Sequence, residues 1–175
     1  MNEDTLRFIR EHRTEDVRTL ALRSQAHTHV DMPTALTQIA GWQQAREKIP
    51  SWAATEGIVY PPHLSLEQCS SEVTARYKTE IVRQTSTGTL TDLTGGFGVD
   101  CSFLATCFRQ ATYVERQEVL CEAARCNFPL LGLPHITVRQ ADGVVYLKAM
   151  NPTDWIFIDP ARRDGHGGKT VAIAD

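Results

Sequence analysis

Four acidic residues, Asp92, Glu115, Asp142 and Asp159, each sit at or just past the end of a short apolar run, in "TLTDL", "ATYVE", "HITVRQAD" and "WIFID". A carboxylate so placed can bind the paired hydroxyls of a ribose, accept from the amino group of a purine, or orient and deprotonate a nucleophile. After the first run comes the glycine-rich turn Thr94-Gly95-Gly96-Phe97-Gly98. Glycines there let the backbone turn tightly and bring its N–H groups close to a ligand. Each acid alone is equally well read as a helix cap or turn residue. Their joint placement points to a pocket for a nucleoside-type cofactor.

Placing four carboxylates on four strand ends requires alternating strands and helices. From Thr89 onward the chain has that texture: "TLTDL", a helical stretch through "CSFLATCF", "ATYVE", a helix through "EVLCEAARCNFPLL", "HITVRQ", a helix around "GVVYLKAM", then "WIFID". This alternation predicts βαβ units and a parallel sheet, and such sheets bind ligands at the carboxyl ends of their strands. Asp100 is a candidate N-cap for the first of these helices. Upstream, "SSEVTARYKTEIVRQT" opens on serine, and Val73, Tyr77 and Ile81 recur at four-residue spacing, predicting a helix. Residues 1 to 60 carry apolar positions at helical spacing, Leu6 and Ile9, then Leu36, Ile39 and Ala40, with Pro33 as a helix opener. The fold class expected is α/β, with a helical N-terminal region over 1–60 and a Rossmann-like domain over 61–175.

Two other motifs compete for attention. Gly167-Gly168-Lys169-Thr170 looks like the end of a phosphate-binding loop, but the required earlier glycine is Arg163 and few residues follow for a helix. We read it as a loop in which Lys169 could touch a substrate phosphate. "HTHVD" offers His27, His29 and Asp31 as metal ligands, yet His63, His135 and His166 stand isolated in the chain. A polar interhelical turn is the better reading, and no metal is expected.

Bulk properties add limits. With 175 residues, 42% of them hydrophobic, the chain can bury a core, and its net charge of −3 gives no overall basic field. Five cysteines without a C-x-x-C pair read as reduced core thiols. The charged N-terminus is unlike a signal peptide and no run suits a membrane span, so a cytoplasmic protein is expected.

"DLTGGFG" resembles the first motif of the class I S-adenosylmethionine-dependent methyltransferases, in the D-L-x-x-G-x-G form common among enzymes acting on nucleic acids. The resemblance covers residues from about 66 to 175. "LEQCSSEVTARYK", "DLTGGFGVD", "YVERQ" and "DPARRD" together are similar to a group of bacterial methyltransferases that carry a THUMP-like domain toward the C-terminus. The resemblance implies that Asp92, Gly96 and Gly98, with Thr94 and Gly95 in the same loop, line the methionine part of S-adenosyl-L-methionine. It places Glu115 at the ribose and Asp142 at the adenine, with Arg116 and Gly143 flanking the ring.

"DPAR" sits where the family has its fourth motif, which implies that Asp159 faces the methyl-transfer region and that Pro160 stiffens its loop. Amino-methylating relatives have a second proline and an aromatic residue where this chain has Ala161 and Arg162, a departure from base N-methylation. Arg162 and Arg163 could clamp a phosphate or carboxylate of the substrate. The resemblance further implies an RNA substrate, a strand order of 3-2-1-4-5 and further strands beyond this chain, so a fragment is expected, with other polypeptide covering the edge of its fourth strand. Two alternatives stay open: a noncatalytic RNA-binding module that kept the fold, and a nicotinamide- or flavin-dependent oxidoreductase, against which Cys101 stands at the third glycine position of the dinucleotide pattern.

Overall fold

The structure is a computed structural model that describes residues 1–23, 27–61, 66, 68–84 and 88–159. Pro160, Ala161, Arg162, Arg163 and the run from Gly167 to Thr170 lie outside the described residues.

Among the described residues the N-terminal region forms four helices, each started by a local device. In α1 (Glu3–His12) the Asn2 side chain accepts from the Thr5 amide, and acidic residues fill the first turn with basic ones in the last. Asp16 caps α2 (Val17–Leu22) in the same way. Asp31 caps α3 (Met32–Lys48), accepting from the Thr34 amide at 3.3 Å and its hydroxyl at 2.7 Å, with Pro33 in the first turn. The short α4 (Pro50–Ala53) follows at once. Asp31 of "HTHVD" is thus a cap, and His27 packs its ring 4.9 Å from that of Phe8. Among the described residues no three His, Cys, Asp or Glu side chains gather as a metal site.

The extended segment Ile58–Tyr60 then crosses between two side-chain amides. Gln38 of α3 donates to the Tyr60 carbonyl at 3.0 Å and accepts its amide at 2.9 Å. Asn127 does the same for Val59, at 2.9 and 2.8 Å. Each amide mimics a neighbouring strand, satisfying backbone groups that would otherwise be buried unpaired.

Ser71 caps α5 (Glu72–Arg83) by accepting from the Thr74 amide. The helix is where the spacing predicts it, but its buried face is Glu72, Ala75, Thr79 and Val82. Val73, Tyr77 and Ile81 are 79%, 67% and 55% exposed, so the four-residue apolar repeat marks the outward face. Small residues let α5 lie close to the helix that follows β1, and Glu72 is buried because the Ser51 amide and Arg76 both donate to it.

Four strands follow among the described residues: β1 (Thr89–Asp92), β2 (Gln110–Glu115), β3 (Ile136–Gln140) and β4 (Trp155–Phe157). All pair in parallel, in the order β3-β2-β1-β4. They alternate with α6 (Val99–Ala105), α7 (Glu118–Leu130) and α8 (Gly143–Ala149). This is the α/β, Rossmann-like sheet that the texture predicts. β4 stands at one end, where Ile156 and Ile158 are exposed. Leu90, Ala111 and Tyr113 of the sheet bury against Leu104, Phe108 and Phe128. A second cluster joins Trp52, Tyr60, Leu66 and Ala75 to Phe97 and Val99, packing the N-terminal helices onto the glycine turn itself. Of the cysteines, Cys101 and Cys121 are buried as expected; Cys126 is exposed on α7, and all five are free thiols.

Among the described residues no helix is long and apolar enough to cross a membrane.

Candidate functional site

The carboxyl ends of all four strands open onto one cavity of about 490 Å³. Asp92, Glu115, Asp142 and Asp159 all line it, as do Thr94, Gly95, Gly96, Gly98, Arg116 and Gly143. The volume lies within the range of small-molecule pockets.

The glycine turn is shaped by what lies beneath it as much as by what faces the cavity. Gly96 and Gly98 have φ of 54° and 90°, a left-handed backbone that residues with a Cβ adopt at a cost. Gly98 also starts α6 as its N-cap, displacing Asp100 from the role expected of it into the first turn. A Cβ at Gly95 would collide with the Tyr113 ring, and one at Gly143 with the Leu93 carbonyl, so these glycines permit close packing. The amides of the turn are already engaged. Gly95 donates to the Val114 carbonyl at 2.9 Å, Gly98 to the Gly95 carbonyl at 2.9 Å, and Gly96 to Glu115 Oε2 at 3.0 Å. The three glycine amides thus have internal acceptors, one of them a carboxylate.

Glu115 spans two loops, since its Oε1 accepts the Gln117 amide at 2.9 Å. Asp142 Oδ1 caps α8, taking the Val144 and Val145 amides at 2.9 and 3.1 Å. The bland role weighed for this residue is therefore real, and it holds the carboxylate at the cavity wall.

At the other end, Asp92 is 1% exposed. Burial pushes its carboxyl up to about 7, the charges of Asp100 and Asp159 add to that, and the Thr94 amide opposes it. The Thr94 hydroxyl accepts the Asp159 amide at 2.7 Å and lies 3.4 Å from Asp92 Oδ1, tying the ends of β1 and β4 together.

Sequence reasoning missed three participants here. Lys78 of α5 reaches Asp100 Oδ2 at 3.0 Å, Asp159 Oδ2 at 3.2 Å and the Ser70 hydroxyl at 3.1 Å, and its Nζ stands 5.0 Å from the centre of the Phe157 ring. Ser70 donates to the same Asp100 oxygen at 2.8 Å. Asp100 Oδ1 is buried without a partner among the described residues. The only signal was the stretch from Ser70 to Lys78 in "LEQCSSEVTARYK", in which nothing local marks a long-range contact.

No protein-family model and no curated protein matches the chain. Among solved structures, a Porphyromonas gingivalis W83 protein assigned as a methyltransferase superposes on 91% of it, with 32% sequence identity and a TM-score of 0.74. The chain has the fold of a methyltransferase. It spans 40% of the length of that protein. A Klebsiella pneumoniae protein assigned as an O-methyltransferase (17% identity, TM-score 0.52, 74% of this chain and 63% of that one) shares the fold. So does the Bacillus cereus O-methyltransferase solved with SAH (16% identity, TM-score 0.50, 82% and 63%). The cavity described above lies at the carboxyl ends of the β3-β2-β1-β4 strands of this sheet.

Proposed function

We propose that the chain is the cofactor-binding part of an S-adenosyl-L-methionine-dependent methyltransferase acting on RNA. The observation that carries the reading is the set of four carboxylates on four strand ends around one cavity, beside a glycine turn. The nicotinamide or flavin alternative is disfavoured by Cys101 at the third glycine position of the dinucleotide pattern and by the engagement of the Gly96 amide with a carboxylate. S-adenosyl-L-methionine has no phosphate, and its donor groups suit the acceptors present. Glu115 would take the ribose hydroxyls, and Asp142 the adenine amino group. Asp92, the loop from Thr94 to Gly98 and the unpartnered Asp100 Oδ1 would take the methionine part, whose ammonium is a donor. Arg116 and Gly143 would flank the ring. The similarity of the P. gingivalis protein and the bound SAH of the B. cereus enzyme support this choice.

The cofactor brings a methyl group activated by its sulfonium, so the chain need only align the acceptor and accept a proton. Asp159, just past β4 and half-exposed, would orient or deprotonate the nucleophile under this reading. Pro160 would stiffen that loop, and Arg162 and Arg163 would hold a substrate phosphate. RNA as the substrate rests on the D-L-x-x-G-x-G form of the first motif and on the similarity to THUMP-bearing methyltransferases.

Calorimetry with S-adenosylhomocysteine tests the pocket, and transfer of labelled methyl to RNA by the full-length protein tests the reaction. Binding with a micromolar constant and loss of transfer in Asp159→Ala, with cofactor binding retained, are expected. Transfer that survives Asp159→Ala removes that residue from catalysis, and absence of binding by the wild type removes the cofactor.

A further inference from the structure

The cavity is negative at its β1–β4 end, where Asp92, Asp100 and Asp159 all line it. Lys78 is not among the lining residues; its ammonium reaches Asp100 and Asp159, which are, at 3.0 and 3.2 Å, and its side chain is 25% exposed. All three of its N–H donors have an acceptor, in Ser70, Asp100 and Asp159, and the Phe157 ring stands 5.0 Å away. An ammonium held this fully is fixed in place, and its charge acts on whatever occupies the cavity. Without it, two carboxylates would face the cavity uncompensated and would draw in any cation.

We infer that Lys78 sets how strongly the cavity prefers a cationic ligand over a neutral one of the same shape. The inference rests on the cofactor reading, under which the relevant pair is the sulfonium donor, S-adenosylmethionine, and its neutral thioether product, S-adenosylhomocysteine. Lys78 is then a positioning and charge-tuning residue that touches neither ligand. By offsetting one negative charge, it keeps the donor from being gripped too tightly relative to the product, and it holds Asp159 to the wall that also carries Asp100.

The test measures dissociation constants of both ligands by calorimetry, using the full chain and its Lys78→Met, Lys78→Gln and Lys78→Arg variants. Loss of a unit charge about 8–11 Å from the ligand, at an effective dielectric of about 30 because the ammonium is partly exposed, should shift the donor-to-product preference by about fivefold to tenfold. Lys78→Met and Lys78→Gln should both raise the preference for S-adenosylmethionine by that factor, while Lys78→Arg keeps the wild-type ratio. An unchanged ratio in the two uncharged variants overturns the inference, and so does a change in Lys78→Arg as large as theirs. Should neither uncharged variant keep the wild-type far-UV spectrum, Lys78 supports the fold and the inference falls. If the wild type binds neither ligand, the cofactor reading itself is wrong, a result the variants cannot mimic.

Discussion

Glu115 Oε2 accepts the Gly96 amide at 3.0 Å across the gap between the first and second strand ends. The same carboxylate holds the Gln117 amide, so one side chain fixes both loops that a nucleoside would touch. The residue also lines the cavity. Replacing Glu115 by alanine should loosen the glycine turn and remove the acceptor of the ribose hydroxyls. Hydrogen bonds to a charged group contribute about 1.5–3 kcal/mol, so calorimetry should show affinity for S-adenosylhomocysteine falling about tenfold to a hundredfold. Glu115→Gln should fall between, because its amide nitrogen would face an N–H that needs an acceptor. An unchanged constant in Glu115→Ala would place the ribose elsewhere.

Asp92 gives the fold a pH dependence with a definite sign. Its carboxyl titrates at about 7 in the folded chain against a reference value of 3.8. Below that reference value both folded and unfolded states hold the proton and there is no penalty. Between the two values the unfolded chain releases a proton that the folded chain keeps, so stability falls as pH rises, by at most about 1.4 kcal/mol per pH unit. Above the folded value the loss levels off. Urea midpoints of the wild type should therefore fall, relative to those of Asp92→Asn, between about pH 4 and pH 7. Parallel curves for the two proteins would show that Asp92 is ionised throughout.

The sheet was legible because its strands are short apolar runs punctuated by glycine and acid, and because four such acids recur at four successive run ends. Residues from Asp92 to Asp159 could thus be placed from pattern alone. The face of α5 could not, because burial there was decided by close approach to α6. That approach favours Ala75 and Thr79 and leaves Val73, Tyr77 and Ile81 outside. Lys78 and Asp100 stayed hidden for a related reason. Their contact joins residues 22 positions apart in sequence through tertiary packing, and neither side chain is unusual where it stands. The roles of Gly95 and Gly143 were equally out of reach, since Tyr113 and the Leu93 carbonyl define them.

Gly98 carries two separate constraints that a mutant cycle can divide. Its φ of 90° strains any other residue, and an added Cβ would lie 2.9 Å from the tip of the Phe128 ring, which is 1% exposed. Gly98→Ala should cost about 1–3 kcal/mol in urea unfolding. In a Phe128→Leu background the clash is relieved and only the backbone strain is left, so the cost should shrink by a measurable part. An equal cost in both backgrounds would assign the whole penalty to the backbone.

The pair Asn127 and Val59 binds the N-terminal region to the sheet domain by both backbone groups of one residue, and Asn127 is fully buried. Asn127→Ala strands the Val59 amide and carbonyl, and each buried polar group left unpaired costs about 1–3 kcal/mol. The variant should therefore lose about 2–4 kcal/mol of stability. Asn127→Asp separates the donor from the acceptor. A protonated carboxyl can still donate to the Val59 carbonyl and accept its amide, whereas a carboxylate keeps only the second bond and buries a charge. Burial raises the folded value of the introduced carboxyl, so its penalty is small near pH 4 and grows as pH rises above the unfolded value. Urea midpoints should show Asn127→Asp approaching the wild type in acid and falling well below it at neutral pH, while Asn127→Ala stays low at both. A penalty for Asn127→Asp that does not change with pH would mean that the donated bond to Val59 contributes nothing.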